Sequence, residues 1–131
     1  MTLEEFLVGT YPPNSFLDRE GWDTLYVRKN PIGVRIDDKF YRVNKVFTFA
    51  NIGADEPGNG LFTKMVEYLV GLGWAIYVEC VHDLNPRFQA GLRRRGYLEL
   101  RNEGSSNFLF NYEGHLSEWP IYKKVKVPEA T

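Results

Sequence analysis

The feature that most constrains the fold is a strand-like run followed by a glycine-containing turn and a helical segment, all near the middle of the chain. Residues 40–52 (FYRVNKVFTFANI) are rich in β-branched and aromatic side chains, so they predict one bent strand or two strands meeting near Asn44. After Gly58, Asn59 and Gly60, apolar residues recur every three or four positions, which predicts an amphipathic helix. The residues predicted to form its buried face are Leu61, Met65, Tyr68, Leu69 and Leu72.

A second strand and a second helix follow directly. Residues 74–81 (WAIYVECV) are almost continuously apolar, as expected of a strand that is buried on both faces. Asn85 and Pro86 are favoured as the N-cap and the first residue of a helix, which we expect to end at Gly96. Because a helix connects the two strands, they should lie parallel in one sheet through a crossover.

The flanking segments predict further strands and one short helix. Thr2 and Glu5 fit a capping box, so a helix is expected over residues 3–9. Strand-like patterns occur at residues 22–29, 32–36, 97–100, 107–112 and 119–127, with a turn at 37–39. The predicted fold class is α/β, more specifically α+β: a mixed, mostly antiparallel sheet with a central strand–helix–strand crossover and flanking helices.

Composition and charge narrow the class of protein. With 131 residues, of which 44% are hydrophobic and 25% charged, the chain is expected to form one globular domain over residues 1–131. The net charge of −1 provides no overall attraction for nucleic acid, although a local basic face could still bind it. No stretch approaches the roughly 18 apolar residues of a membrane span, and the first residues lack a basic targeting region. We therefore expect a cytoplasmic protein without membrane contact.

The residues that commonly bind metals are few. The chain has one cysteine, Cys80, and two histidines, His82 and His115. One cysteine can form neither a disulfide within the chain nor a zinc cluster, so no metal is expected. Because Cys80 lies inside an apolar run, we expect it to be a small buried hydrophobic residue.

The turn at Gly58, Asn59 and Gly60 supports two interpretations. Backbone N–H groups at the start of a helix have no intrahelical partner, and together with the helix dipole they can hold a phosphate or a pyrophosphate. The same residues also occur in ordinary turns and helix caps. A Walker A loop would end in Gly-Lys-Ser/Thr, and a dinucleotide fingerprint would follow the first strand of a parallel unit, so neither motif fits.

Residues 40–112 resemble the GNAT superfamily, the Gcn5-related N-acetyltransferases. In that family a strand is followed by a loop of pattern Arg/Gln-x-x-Gly-x-Gly/Ala, a helix, a strand, and a second helix that begins at Asn and closes with Gly-Phe or Gly-Tyr. Here Ile52 stands at the end of the strand, and residues 57–62 (PGNGLF) occupy the loop. Asn85, with Gly96 and Tyr97 at the usual distance downstream, reproduces the second helix.

The loop departs from the family pattern at both ends. Pro57 stands where the family has Arg or Gln, and Phe62 stands where it has a small residue, so that only Gly60 matches strictly. Binding of CoA would therefore rest on backbone amides rather than on side chains.

The resemblance implies an N-acetyltransferase in which an amine directly attacks the thioester of acetyl-CoA. A backbone N–H from residues 51–53 would polarise the acetyl carbonyl, which makes Ile52 a catalytic as well as a cofactor-binding position. The family often uses a tyrosine on the second helix as general acid, but that position is Leu92 here. The thiolate would then be protonated by another group or leave unprotonated. The residues assigned to acetyl-CoA are Ile52, Gly58, Asn59, Gly60, Leu61, Phe62, Thr63 and Asn85.

Glu79 is the candidate general base, because burial raises the pKa of a carboxylate and Glu79 lies in an otherwise apolar strand. Alternatively, Glu79 is an edge carboxylate that pairs with one of the three arginines at 93–95. His82 with Asp83 forms a second candidate pair of base and orienting partner. The arginines themselves either complement the helix C-terminus in water or contact the 3′-phosphate of CoA or a nucleic acid.

Two further hypotheses stay open. Residues 77–88 and 92–97 also resemble, more loosely, small acetyltransferase-like proteins of bacteriophages, some of which modify DNA bases; such a protein would act in the host cytoplasm. A non-catalytic GNAT-like module that binds protein or nucleic acid is favoured by Pro57, Phe62 and Leu92, which replace residues that the family uses. About 20 residues precede the first clear strand, which predicts an open acceptor groove, suited to a macromolecule or to a site completed by a second subunit in a homodimer. The class of the acceptor amine stays unknown.

Overall fold

The computed structural model describes residues 1–10, 12–54 and 60–118 of the chain. Within these ranges the strands form a six-stranded and a three-stranded sheet. In chain order the elements are α1 (Leu3–Val8), β1 (Asn14–Phe16), β2 (Trp22–Arg28), β3 (Ile32–Ile36), β4 (Lys39–Val43), β5 (Val46–Ala54), α2 (Leu61–Gly71), β6 (Ala75–His82), α3 (Pro86–Arg94), β7 (Leu98–Asn102), β8 (Ser105–Phe110) and β9 (Leu116–Glu118), with a 3₁₀ turn at Glu113–His115. In the same ranges no helix is long and apolar enough to cross a membrane.

The six-stranded sheet is mixed and mostly antiparallel, which confirms the predicted fold class. Its strand order is β1-β2-β5-β6-β8-β7. Only the β5–β6 pair among these neighbours is parallel, and α2 makes the crossover between them, as predicted. The run at 40–52 forms two strands that meet at Asn44 and Lys45, because β4 ends at Val43 and β5 begins at Val46.

The three helices cover one face of the six-stranded sheet. Successive side chains of a strand point to opposite faces, so every second residue of β2, β5 and β6 enters the core under the helices. This core includes Leu3 and Phe6 of α1, Met65, Val66 and Leu69 of α2, Leu92 of α3, and strand residues such as Leu25, Phe47, Ile76 and Phe108. Full burial of each large apolar side chain contributes about 1.5–3 kcal/mol, so this face contributes most of the hydrophobic stabilisation.

The three-stranded sheet, in the order β3-β4-β9, packs on part of the opposite face. Its contact is a smaller core that contains Val34, Val43, Val46, Ala75 and Leu109. The sequence predicted β3 and β4 but not their separation into a second sheet. The segment predicted as an edge strand, 119–127, lies outside the described residues, and β9 directly precedes it.

Hydrogen bonds hold both ends of helix α1. At its start, the Glu5 N–H donates to Thr2 Oγ1 at 3.1 Å and the Thr2 N–H donates to Glu5 Oε1 at 2.8 Å, which confirms the capping box. At its end, the Lys29 ammonium group donates to the carbonyl oxygens of Phe6 and Gly9. The helix is therefore tied to β2, the strand that directly precedes Lys29.

The buried face of α2 differs from the predicted one. Met65 and Leu69 are buried as expected, but Tyr68 and Leu72 are 44% and 46% exposed and Val66 is buried instead. The buried stripe runs along positions 62, 65, 66 and 69, so it is rotated by about one residue from the predicted face. Leu72 lies at the helix C-cap, beyond the last turn.

Candidate functional site

The parallel strands β5 and β6 separate toward their C-terminal ends. Their ladder begins at Val46–Ala75 and ends at Phe49–Val78. Directly beyond this point β5 contains a bulge against β2, because Ala50 is an extra residue in the register. Strand β6 also carries one residue more than β8, between Val78 and Val81. Bulges bend strands and re-aim side chains, so two bulges at the same level account for the opening.

The bulge in β6 turns Cys80 out of the core. The residue has a φ of 54°, in the left-handed region that non-glycine residues seldom adopt. Its backbone N–H donates a 2.7 Å hydrogen bond to Oδ1 of Asn107 on β8, which holds this conformation. Cys80 is exposed, so the prediction of a small buried residue is wrong. The apolar run did not indicate the extra residue that breaks the alternation.

The separated strands enclose a cleft of about 230 Å³. It brings together four of the residues predicted as site candidates, from β5, β6 and the start of α3: Ile52, Glu79, His82 and Asn85. Beyond the end of the ladder, the facing backbone groups of β5 and β6 do not pair with each other. The cleft is lined by residues 49–52, residues 78–82, Asn85 and Phe88.

Glu79 lies on the face of the sheet away from the helices. Its neighbour Val78 enters the helix-side core, and alternation places Glu79 on the other side. Arg28 Nη1 donates to Glu79 Oε2 at 2.7 Å, and this hydrogen bond raises the pKa of Arg28. The Glu79 side chain is 31% exposed, so it lacks the full burial on which its assignment as the general base depended. Its partner also differs from the three arginines considered from the sequence.

Those three arginines have local roles in the structure. Arg93 forms a bidentate pair with Glu99 at 2.7 and 2.8 Å, and Arg95 donates to the carbonyl oxygen of Gly91 at 3.2 Å. Arg93 and Arg94 lie in the last turn of α3, where cations complement the negative end of the helix dipole.

The region next to Glu79 contains a neutral phenol. Burial, followed by the charge of Glu79, raises the pKa of Tyr77 to about 12. Tyr77 therefore stays protonated at neutral pH. Tyr77 and Glu79 are two positions apart on β6, so their side chains lie on the same face of the sheet.

The turn between β6 and α3 is held by a polar network rather than by a His–Asp pair. The Asp83 carboxylate accepts two hydrogen bonds from Arg101, at 2.7 and 3.0 Å, and one from Gln89 at 2.9 Å. These partners, Arg101 first, hold the pKa of Asp83 well below its usual range. His82 Nδ1 instead accepts from the Leu84 N–H at 3.0 Å. The sequence hypothesis that Asp83 orients His82 is therefore not supported by these bonds.

Asn85 occupies the N-cap position of α3, as predicted, but its side chain makes no capping hydrogen bond. It lines the cleft instead. Leu92, at the position of the expected tyrosine, is 1% exposed and lies in the helix-side core. No proton donor is therefore present at that position.

The predicted phosphate loop is described only from Gly60 onward, since Gly58 and Asn59 lie outside the described residues. Gly60 precedes α2 with a φ of 83° and supplies no capping side chain. The first turn of α2, which contains Leu61, Phe62 and Thr63, has no acidic residue. This helix end therefore keeps the partial positive charge of its backbone.

Phe62 and Phe88 bring the N-terminal turns of α2 and α3 together. Their ring centroids are 5.2 Å apart in an edge-to-face contact, and Phe62 also lies 5.0 Å from Phe49 of β5. The start of α2 therefore lies against the wall of the cleft, although Phe62 itself does not line it. On its other side, α2 borders a second cavity of about 380 Å³, lined by Arg19, Glu20, Trp22, Leu61, Lys64 and Met65.

Sequence reasoning missed Arg28 and Phe88. Arg28 and Glu79 are 51 positions apart, so no local pattern links them. The position of Phe88 in the first turn of α3 could have indicated a role beside Asn85. Comparison with known proteins adds no relative: no protein-family model, curated protein or solved structure matches this chain.

Proposed function

We propose that this protein is a GNAT-type N-acyltransferase that transfers the acetyl group of acetyl-CoA to an amine, with the cleft between β5 and β6 as its active site. The observation that carries this proposal is the opening of the parallel pair at two bulges beyond Phe49–Val78. The opening leaves backbone edges facing each other across a space that is lined by Glu79 and borders two helix N-termini. Acyl transfer from a thioester needs hydrogen-bond donors for the carbonyl oxygen and a base that takes a proton from the acceptor amine.

In the proposed reaction the amine nitrogen forms a bond to the acetyl carbonyl carbon, the bond from that carbon to sulfur breaks, and the nitrogen releases its second proton to water. Negative charge develops on the carbonyl oxygen before the C–S bond breaks. Backbone N–H groups of residues 51–53, at the end of β5, are the candidate donors for this oxygen. Ile52 thus keeps its proposed role through its backbone.

Glu79 is the proposed acceptor of the ammonium proton. Glu79 lines the cleft, and Arg28 holds its carboxylate with a charge-assisted hydrogen bond of 2.7 Å. Leu92 cannot donate a proton to the departing sulfur. Since an unperturbed thiol has a pKa of about 8.5, CoA can leave as a thiolate.

The N-terminus of α2 is the proposed site for the pyrophosphate of CoA. A helix N-terminus attracts phosphate through its backbone N–H groups and its dipole. Support comes from the absence of an acidic residue in the first turn and from the contact of Phe62 with the cleft wall residues Phe49 and Phe88. Gly58, Asn59, Gly60, Leu61 and Thr63 remain its candidate contacts.

Hydrogen exchange with and without acetyl-CoA tests this arrangement. Acetyl-CoA should protect both residues 60–63 and residues 50–52 from exchange. The control ligand 3′-phosphoadenosine 5′-diphosphate lacks the pantetheine and the thioester, so it should protect the start of α2 but not the cleft. Release of CoA in the presence of a polyamine, a lysine peptide or single-stranded DNA would then identify the acceptor class. Absence of protection by acetyl-CoA would contradict the proposal.

A non-catalytic GNAT-like binding module is the second candidate. It is favoured by the buried Leu92, which leaves the expected acid position without a proton donor, and by the ion pair that already engages Glu79. Such a module would show no protection by acetyl-CoA and no release of CoA with any of the three acceptors.

A further inference from the structure

Two residues that line the cleft, Phe49 and Phe88, form with Phe62 a cluster of three aromatic rings, here called the ring cluster. The rings come from β5, α2 and α3, and successive centroids lie 5.0 and 5.2 Å apart. We infer that the ring cluster restricts the acyl group to acetyl or a similarly short chain, with Phe88 as the specificity-determining residue. This inference rests on the proposed acyltransferase function.

The ring cluster is held in place by the core. Phe49 is 1% exposed and also contacts Phe47, with ring centroids 5.2 Å apart. Phe62 and Phe88 lie in the first turns of their helices and pack against the same core. Because protein interiors are close-packed, rings held in this way do not move aside without disturbing their neighbours.

Described residues bound the cleft on two further sides. The β5–β6 ladder closes the cleft on the side of Phe49–Val78. The ion pair between Arg28 and Glu79 extends from β2 to β6 on the face away from the helices. An alkyl chain entering there would strip water from both charges, which is unfavourable.

The cleft is small for a ligand pocket. About 230 Å³ is available. Pockets that enclose drug-sized ligands are usually about 300–1,000 Å³. Of the three rings, only Phe49 and Phe88 line the cleft, and Phe49 is fixed in the sheet. Phe88 is therefore the side chain whose size can change the space with the least effect on the core.

The test compares acetyl-CoA, butyryl-CoA and hexanoyl-CoA as substrates of the whole chain and of Phe88→Ala. The wild type should prefer acetyl-CoA over hexanoyl-CoA by at least tenfold in kcat/KM, and Phe88→Ala should reduce this preference by roughly 10–100-fold, the range expected for pocket discrimination between apolar groups. Phe88→Leu, which keeps more of the apolar volume, provides a second variant if the alanine variant unfolds.

Phe110→Ala is the matched control. Phe110 is a half-buried ring that stacks on Tyr97 at 4.6 Å, and it does not line the cleft. Its variant should keep the wild-type acyl preference. Equal use of acetyl-CoA and hexanoyl-CoA by the wild type, or an unchanged preference in both Phe88 variants, would overturn the inference while leaving the acyltransferase function intact. Failure of every thioester, and of CoA itself, to bind in a calorimetric titration would overturn the proposed function and the inference with it.

Discussion

Arg28 of β2 and Glu79 of β6 form a 2.7 Å ion pair across β5, the strand that lies between them. The two side chains are 39% and 31% exposed, and pairs with this exposure contribute little to stability. Their contact crosses the sheet where β5 and β6 begin to separate. The pair therefore fixes the side chain of Glu79, a residue that lines the cleft, more than it stabilises the fold.

Replacing Glu79 tests its role as a base. Glu79→Gln should lower kcat by about 10²-fold or more at neutral pH, because positioned general bases contribute roughly 10²–10⁴-fold. Glu99→Gln is the control, since Glu99 also pairs with an arginine but does not line the cleft. An equal rate for Glu79→Gln and the wild type in acetyl transfer would remove Glu79 as the base.

Cys80 provides a direct reporter of the cleft. It is the single cysteine of the chain, it is exposed, and it lines the cleft. A maleimide should therefore label the folded protein once, and saturating acetyl-CoA should slow the labelling, as followed by mass spectrometry. Labelling that occurs only after denaturation would show that Cys80 is buried. Labelling at the same rate with and without bound acetyl-CoA would show that acetyl-CoA does not bind in the cleft.

Leu92 is a core position and not a vacant site for an acid. Leu92→Tyr should lower the free energy of unfolding by about 1–3 kcal/mol, because a larger side chain overpacks a filled core. The same change at Leu72, which is 46% exposed, should alter stability by less than about 0.5 kcal/mol. Urea unfolding measures both values. A gain in turnover with unchanged stability would instead indicate that position 92 faces the substrate.

Acid should destabilise the fold through Asp83, in the turn between β6 and α3, and through Glu99 of β7. Hydrogen bonds from Arg93 and then Ser106 lower the pKa of Glu99 to about 2, and those from Arg101 and then Gln89 lower the pKa of Asp83. A carboxylate with a lower pKa in the folded than in the unfolded state stabilises the fold above its unfolded pKa, about 4 here. That stability is lost as the pH falls from about 4.5 toward 2.

Thermal unfolding between pH 7 and pH 2.5 measures this effect. The melting temperature of the wild type should fall below about pH 4.5, and Glu99→Gln should reduce the steepness of that fall because it removes one of the titrating groups. The same steepness in Glu99→Gln and in the wild type would assign the acid sensitivity to other groups.

Local signals predicted much of the fold. The capping box at Thr2 and Glu5, the break at Asn44 and the crossover through α2 each depend on residues close together in sequence, and all three are confirmed. The separate sheet of β3, β4 and β9 was not predicted, because the pairing of β4 with β9 joins segments more than 70 positions apart. The buried face of α2 lies about one residue away from its predicted position, because hydrophobic periodicity alone does not show which side of the helix faces the sheet.

The candidate site was predicted less completely. Ile52, Glu79 and Asn85 do meet at one cleft. The partner of Glu79 depends on the register of two strands that are not neighbours, and the exposure of Cys80 depends on a bulge held by Asn107. Neither relationship has a signature in the local sequence.

Calorimetric titration of the whole chain with acetyl-CoA tests most directly whether the cleft and the start of α2 form an acyl-CoA site. Gly60→Trp and Gly104→Trp form a matched pair, since both glycines have positive φ, 83° and 75°, and, apart from the glycine and its chain neighbours, no atom of the described residues lies within 4 Å of where a Cβ would be. The wild type and Gly104→Trp should give a heat signal that fits binding of acetyl-CoA at one saturable site. Gly60→Trp should bind acetyl-CoA at least tenfold more weakly. No heat from the wild type up to millimolar acetyl-CoA would contradict the proposed function.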